Sequence, residues 1–521
     1  MKPQPCFTEH LPVPGIRHEL GAGKRAPTAA RPPLPRCGRD RIHRFPHAPH
    51  WVSILLLAAT IAAPVPCARA DASLPRPTPE QVAFQNAELG LFIHFDIQVL
   101  DPEYQRAQAV SRPRSRSGSI SPERFNPARL DTDQWLQTAQ ALGANYVVFT
   151  AKHSSGFLMW QSDLYPFGVR QSPWRDGKGD VVQDFLASCK KFDIRPGLYC
   201  SAGGNEYWNL HNGPIRYEGG RISGRQEDIA DFIGMDLRMY TELFQKAGPL
   251  FEVWLDGGVD PFAGRLTPII AKYEPGAVCF NGPADGVPAG LVRWSGNEDG
   301  FVEYPCWNTI DSTDDQTARG SGKPEGKYWL PVEADLPLRY PGIWMWKPGT
   351  EDKILCLSSL MARYLDTVGR GTNLIVNAVI DPEGRVPEAD ARRLAEFGAK
   401  IKEWFGRSIA QTSGRGNIIE LKLPRPQEIN FVSIMEDIRE GQRVRQYVLD
   451  GLVDGQWREL ATGESIGHKR IQQFGRIKVE AVRLQITQFV AEPIIRQLAV
   501  YSIQPLPSDP NAAIEPAPTS G

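Results

Sequence analysis

Histidine and cysteine are scarce in this 521-residue chain, and their scarcity narrows the chemistry open to it. Nine histidines occur, and only His94, His153, His211 and His468 lie beyond residue 70. They form no His-x-His or other close pair. A metal-dependent hydrolase would have to gather separated ligands such as His94, His153 and Asp256, and neither a metal nor a cofactor is expected. Of eight cysteines, Cys6, Cys37 and Cys67 fall near the N-terminus. The five that remain, Cys189, Cys200, Cys279, Cys306 and Cys356, are odd in number and include no Cys-x-x-Cys pair. That argues against a disulfide scaffold or a thiolate zinc site. No glycine-rich phosphate fingerprint follows any candidate strand. Basic charge is lacking too once the first 70 residues are set aside. They hold ten of the 59 Lys and Arg and three of the 60 Asp and Glu, leaving 49 basic and 57 acidic residues. This balance argues against nucleic acid or an anionic membrane surface as partner and suits a neutral substrate.

No transmembrane span is expected. The apolar run Trp51–Val65 is short and interrupted by Pro64. It follows the basic stretch Arg36–Arg44 and precedes Ala68-Arg69-Ala70, an A-x-A cleavage pattern. Together these read as a secretory signal peptide cut before Asp71, which implies a secreted or periplasmic protein.

What is present is a soluble, multidomain composition: 41% apolar residues, 23% charged residues and thirteen Trp, whose flat faces suit sugar rings as well as cores. From residue 89 onward, short apolar runs alternate with helical patterns. The runs are Leu89–Phe95, Tyr146–Lys152, Arg195–Ser201, Phe251–Asp256, Ala277–Asn281, Val292–Ser295, Trp329–Val332 and Asn373–Asn377. Continuous apolar runs suit strands buried on both faces. The intervening segments Asp131–Leu142, Val181–Phe192 and Ile229–Phe244 carry apolar residues at helical spacing. About eight such units predict an α/β fold of the (β/α)8 barrel type, with a doubly wound open sheet as the alternative. A last helix, Ala391–Phe405, closes the barrel. Beyond it the apolar period changes to two, which predicts a C-terminal β-sandwich. The expected divisions are a leader over 1–70, a catalytic barrel over 71–407, a linker over 408–416, the sandwich over 417–504 and a disordered tail over 505–521.

Barrel enzymes collect their active sites at the C-terminal strand ends. His94, Lys152-His153, Tyr199 and Asp256 end the first four runs, and Glu298 lies just past the sixth. Asp256 directly follows the dry stretch Val253-Trp254-Leu255, so its burial needs donors or a function to offset desolvation. The glycines after it, Gly257-Gly258, allow close approach. Two carboxylates at such a mouth suit glycoside cleavage, one attacking the anomeric carbon and the other protonating the leaving oxygen.

These residues resemble the retaining α-L-fucosidases. Leu91-Phe92-Ile93-His94-Phe95 is similar to that family's first-strand motif, and Tyr146 through His153, with Gly156-Phe157 and Trp160, to its second. Glu252-Val253-Trp254-Leu255-Asp256-Gly257 resembles the segment bearing the nucleophile. The resemblance continues through Val332-Glu333-Ala334-Asp335, Val368 to Leu374 and Asp381-Pro382-Glu383-Gly384, covering nearly all of residues 80–405. It implies that Asp256 is the nucleophile and Glu298 the acid/base. It further implies that His94, His153, Trp254, Tyr199 and Trp344 line the sugar pocket, with a fucosylated glycan as substrate. Trp294–Gly300 is similar to the acid/base region of the branch acting on α-1,3/1,4-linked fucose, and Glu436-Asp437-Ile438 and Ile466–Arg470 resemble that branch's C-terminal domain. Two positions depart from the family pattern. Ser154 stands where a second histidine is usual, and Asp101–Asn126 is long and basic, with Arg112, Arg114 and Arg116, where a Glu-Trp pair is usual. Hydrolysis of another α-linked sugar and glycan binding without turnover are the alternative functions.

Overall fold

The computed structural model describes residues 74–110, 117–208, 215–218, 221–257, 263–313, 320–504 and 506. The expected signal peptide, the three loop arginines, Gly258, His211 and the expected tail apart from residue 506 lie outside them.

The apolar runs become eight strands: β1 (Leu89–His94), β2 (Tyr146–Lys152), β3 (Arg195–Ser201), β4 (Glu252–Asp256), β5 (Val278–Phe280), β6 (Leu291–Trp294), β7 (Val332–Pro337) and β8 (Asn373–Val379). Each pairs in parallel with the next, and β8 returns to β1 to close the barrel. Closure excludes the open doubly wound sheet. Around it run helices α1 (Pro79–Ala87), α2 (Pro102–Val110), α3 (Thr132–Leu142), α4 (Val181–Phe192), α5 (Gln226–Ala247), α6 (Ala263–Tyr273), α7 (Leu357–Asp366) and α8 (Glu388–Phe405). Local chemistry sets their ends. Asp131 and Asp180 cap α3 and α4 through the amides of Gln134 and Gln183, and Gly143 ends α3 in the left-handed conformation at φ 80°.

Alternation along the strands sorts residues between two cores. Leu91, Ile93, Val147, Phe149, Leu198, Val253 and Leu255 join the helices in the larger cluster. Their neighbours Phe92, Tyr146, Val148, Tyr199, Trp254, Phe280 and Ile375 form a separate aromatic cluster inside the barrel. On β4 the same alternation puts Glu252, Trp254 and Asp256 on one face. The interior is therefore unusually polar for a core.

One strand differs from expectation. The run Trp329–Val332 is split: Tyr328–Trp329 pairs with Thr309–Ile310 in a small antiparallel ribbon, and the barrel strand starts at Val332. The true strand carries Glu333 and Asp335, acids just past the expected run Trp329–Val332 that are buried here inside the barrel.

Beyond α8 six strands form one antiparallel sheet: β9 (Ala410–Arg415), β10 (Ile418–Glu436), β11 (Val444–Val453), β12 (Gln456–Gly463), β13 (Arg470–Phe489) and β14 (Ile494–Tyr501). Their spatial order is β9-β14-β10-β13-β11-β12. The polar segment 408–416, expected as a linker, contains the edge strand β9, which pairs with β14. Its Ser/Gly composition hid the strand because an edge needs backbone pairing more than apolar side chains. The runs Ile418–Leu423 and Ile429–Met435, expected as two strands, are one long strand. Register breaks between Lys422 and Gln427 and between Ile429 and Phe431 absorb the proline-rich middle.

Candidate active site

All seven expected site residues meet at the C-terminal mouth of the barrel. His94 ends β1, buried, with its Nδ1 2.7 Å from Asn377 Oδ1 on β8. Its ring packs against His153 at 5.7 Å, Tyr199 at 5.7 Å and Trp344 at 5.1 Å between centroids. His153 stacks on Tyr199 of β3 at 5.5 Å with only 13° between planes. Tyr199 also stacks on Trp254 of β4 at 5.2 Å, and its hydroxyl donates to Asp256 Oδ2 at 2.7 Å. On the far side, the Trp344 indole N–H donates to Glu298 Oε2 at 2.7 Å. One continuous path of contacts thus runs from Asp256 through Tyr199, His94 and Trp344 to Glu298.

Backbone geometry fixes Asp256. Its carbonyl accepts from the amides of Ala202 and Gly203 at 2.8 and 3.1 Å. Gly257, at φ 83°, then brings its Cα so near Gly203 that a Cβ would meet that backbone at 3.0 Å. A side chain at 257 would be strained twice over, by φ and by contact.

The electrostatics differ between the two carboxyls. Burial pushes the Asp256 carboxyl above its ordinary value, while the Tyr199 hydroxyl, the Gly257 amide and the Lys152 ammonium pull it back. Lys152 is itself fully buried, donating to the carbonyls of Ser201 and Gly204 and lying 3.9 Å from Asp236. Glu298, by contrast, is exposed. Both histidines are neutral at neutral pH. Burial drives His153 down to about 4, Lys152 adding to the effect and Glu206 opposing it. Burial and the neighbouring His153 hold His94 well below its usual range.

Several further residues, to which the sequence assigned no role in the site, hold it together. Glu333, inside the barrel, accepts from the Tyr146 hydroxyl and, at 2.9 Å, from the Trp254 indole N–H. Glu252 lies against it, and burial beside a second carboxyl raises Glu252 well above the usual carboxylate range. Asp335 accepts from the Trp294 indole at 2.7 Å, and burial with the nearby Glu298 charge raises it strongly. Glu206, after β3, accepts from Ser117 Oγ at 2.6 Å and from the Gly118 amide at 3.2 Å, tying down the returning end of the long first loop. Ser154, the departure from the family pattern, places its hydroxyl 3.0 Å from His153 Nδ1. Glu252, Glu333 and Asp335 lie in segments that resemble the family and Ser154 departs from its pattern, but none of these signals assigned the contacts, and Asn377 appeared only as the polar close of an apolar run.

A strand-end carboxyl and a second carboxyl on the loop after β6, joined through aromatic rings at the mouth of a closed parallel barrel, define a glycoside hydrolase. Residues 66–404 match the sequence model of the family described as Alpha-L-fucosidase, and the chain belongs to that family. Similar proteins agree. Alpha-L-fucosidase 1 of Arabidopsis thaliana is 27% identical over 495 residues, spanning 85% of this chain and 90% of its own length. A Bacteroides thetaiotaomicron structure, provisionally named an α-L-fucosidase, is 37% identical with a TM-score of 0.75, covering 83% of this chain and all of its own. A Ruminococcus gnavus fucosidase of glycoside hydrolase family 29, crystallised with fucose, shares the fold at a TM-score of 0.70 and 20% identity, with 84% and 97% of the two chains covered.

Proposed function

We propose that the protein is an exported exo-α-L-fucosidase that releases terminal fucose from glycans with retention of configuration. The observation that carries this reading is the contact path at the mouth, where one aromatic group positions both carboxyls through Tyr199 and Trp344. In the first step an Asp256 oxygen bonds to the anomeric carbon as the glycosidic C–O bond breaks, and Glu298 gives its proton to the leaving oxygen. In the second, the Glu298 carboxylate takes a proton from water, which attacks the anomeric carbon and frees Asp256. The mechanism requires the two carboxyl groups about 5 Å apart. Burial strengthens the charge of Asp256 on the cationic anomeric centre, and the two donors and the Lys152 charge around it counter the rise that burial imposes. The aromatic rings offer apolar faces to the sugar and its methyl group.

The names of the relatives support fucose as the sugar, and the Ruminococcus protein holds fucose. The segment Trp294–Gly300 supports α-1,3/1,4 linkages as the preferred bonds, and the Ala68-Arg69-Ala70 pattern supports export. Hydrolysis of an aryl α-L-fucoside and of an α-1,3/1,4-fucosylated oligosaccharide tests the reading. Asp256→Ala is expected to lose roughly a thousandfold or more in kcat, with azide restoring turnover as a fucosyl azide of inverted configuration. Folded wild-type protein that frees no fucose from either substrate would overturn it.

A further inference from the structure

Asn377 touches both halves of the mouth. Its Oδ1 lies 2.7 Å from His94 Nδ1, and its Nδ2 donates to the Trp344 backbone carbonyl at 3.0 Å. A carbonyl only accepts, so the amide nitrogen faces Trp344 and the amide oxygen faces His94. The His94 ring must then carry its proton on Nδ1, which leaves Nε2 as an acceptor. Trp344, held by its carbonyl, is the residue whose indole N–H engages Glu298. Asn377 lies within β8, paired on one side with Phe92 and on the other with Pro337, so its anchor is rigid.

The geometry points to Asn377 as a positioning residue that sets the His94 tautomer and the seat of the acid/base Glu298 with one side chain. The inference rests on the fucosidase reading above, and it assigns a role to a residue that touches neither carboxyl. Each contact acts on a different part of the reaction. The His94 contact keeps a hydrogen-bond acceptor toward the sugar, needed whatever the leaving group. The Trp344 contact serves proton delivery, needed only when the leaving group is poor. The groups around His94 are consistent with control by Asn377. His153 after β2 and Tyr199 on β3 are its titratable neighbours, Phe92 and Trp344 its remaining ring contacts, and no carboxylate hydrogen-bonds to it among the described residues. Burial and His153 together keep the ring neutral.

The test is Asn377→Asp, which keeps the shape and the acceptor toward His94 but removes the donor to Trp344 and adds charge. Two substrates are compared across pH: α-L-fucosyl fluoride, whose leaving group needs no proton, and a fucosylated oligosaccharide, whose leaving group does. The acid limb of kcat/KM is expected to move toward neutral pH for both, because a carboxylate beside His94 holds a proton on the ring. Above that limb the fluoride is expected to react within about threefold of wild type, while the oligosaccharide stays roughly tenfold slower, the worth of about one hydrogen bond. Turnover of the fluoride also reports folding. An unmoved acid limb, or equal loss on both substrates, overturns the inference. A second measurement needs no variant: nitrogen-15 histidine spectra of the wild type at pH 6 should show His94 neutral and protonated on Nδ1, and the other tautomer overturns it. Wild type inactive on both substrates would instead defeat the fucosidase reading, leaving the tautomer result to stand or fall alone.

Discussion

Tyr199 does the work of three residues in this mouth. Its hydroxyl serves Asp256, and its ring carries both His153 and Trp254. Burial and the adjacent Asp256 keep its own ionisation far above neutral pH, so it remains a donor throughout the working range. Tyr199→Phe keeps the ring and removes only that donor. Its kcat/KM on an aryl α-L-fucoside is expected to fall about tenfold to a hundredfold with little change in thermal midpoint. Deeper in the barrel, Glu333 accepts from two donors, so it is the member of its pair suited to carry charge, and Glu252 holds a proton. The sign follows from that. A carboxyl with a raised folded value stabilises the fold fully below its unfolded value, and that stability is lost as pH rises toward the folded value. Burial lifts Glu333 itself to about 7, so the loss begins between pH 4.5 and 7. Glu252→Gln removes one of the two ionisations. Its thermal midpoint is expected to fall less than that of wild type between pH 5 and pH 8, and an identical fall would refute the assignment. Asp256 was legible in sequence because an acid ending an apolar run is conspicuous. The pairing of Glu252 with Glu333 was not: Glu252 lies inside the expected strand Phe251–Asp256, but which acid it meets is set by closure of the barrel.

At the scale of elements, the barrel depends on polar ties between strand ends and helices. Arg339, just after β7, is fully buried and forks onto Asp390 of α8 at 3.0 and 2.6 Å. Such a bidentate pair fixes the angle at which α8 leaves the barrel. Arg339→Leu strands a buried carboxylate and is expected to cost about 3–5 kcal/mol in denaturant unfolding. The double change with Asp390→Leu should recover much of that, since a buried pair is often replaceable by apolar packing. Most barrel elements were readable from the sequence. Tyr146–Lys152 and Arg195–Ser201 run as expected, because each has an apolar centre and follows a helix that ends just before it, at Gly143 and Asp193. β7 and β9 were not. The first is acidic, and the second is a polar edge whose existence depends on β14.

Taken whole, the molecule reads as a barrel buttressed by its C-terminal sheet. Phe405 at the end of α8 packs on Phe431 of β10 and Tyr501 of β14, at 6.1 and 5.4 Å. Between α1 and β1, Glu88 accepts from His468 Nε2 at 3.0 Å and from Lys469, both from the sheet domain. Burial alone would raise Glu88, but Lys469 and His468 together hold it down to about 2. Burial brings His468 down to about 4, so the neutral ring donates from Nε2 while Arg496 donates to Nδ1 at 3.1 Å. Both values are depressed, and the sign is the same for both. The stability they give is present at neutral pH. It drains away as pH falls, through 6.5 to 4 for His468 and below 4.5 for Glu88. A chain truncated after Phe405 loses this seam and its apolar cover, and is expected to aggregate or be digested rapidly where the full chain resists proteolysis. The sheet was visible in sequence as a change of apolar period; its bracing role was not, since Glu88 and His468 lie 380 residues apart.

The central claim is that Asp256 attacks the sugar. The most direct test is to incubate the wild type with 2-deoxy-2-fluoro-α-L-fucosyl fluoride, which slows the second step, and to map the modified peptide by mass spectrometry. One 2-deoxy-2-fluorofucosyl adduct on the side chain of Asp256, formed also by Glu298→Ala because fluoride leaves without a proton, is the predicted result. An adduct on another residue, or full hydrolysis of natural substrate with inverted configuration and no adduct at all, would contradict it.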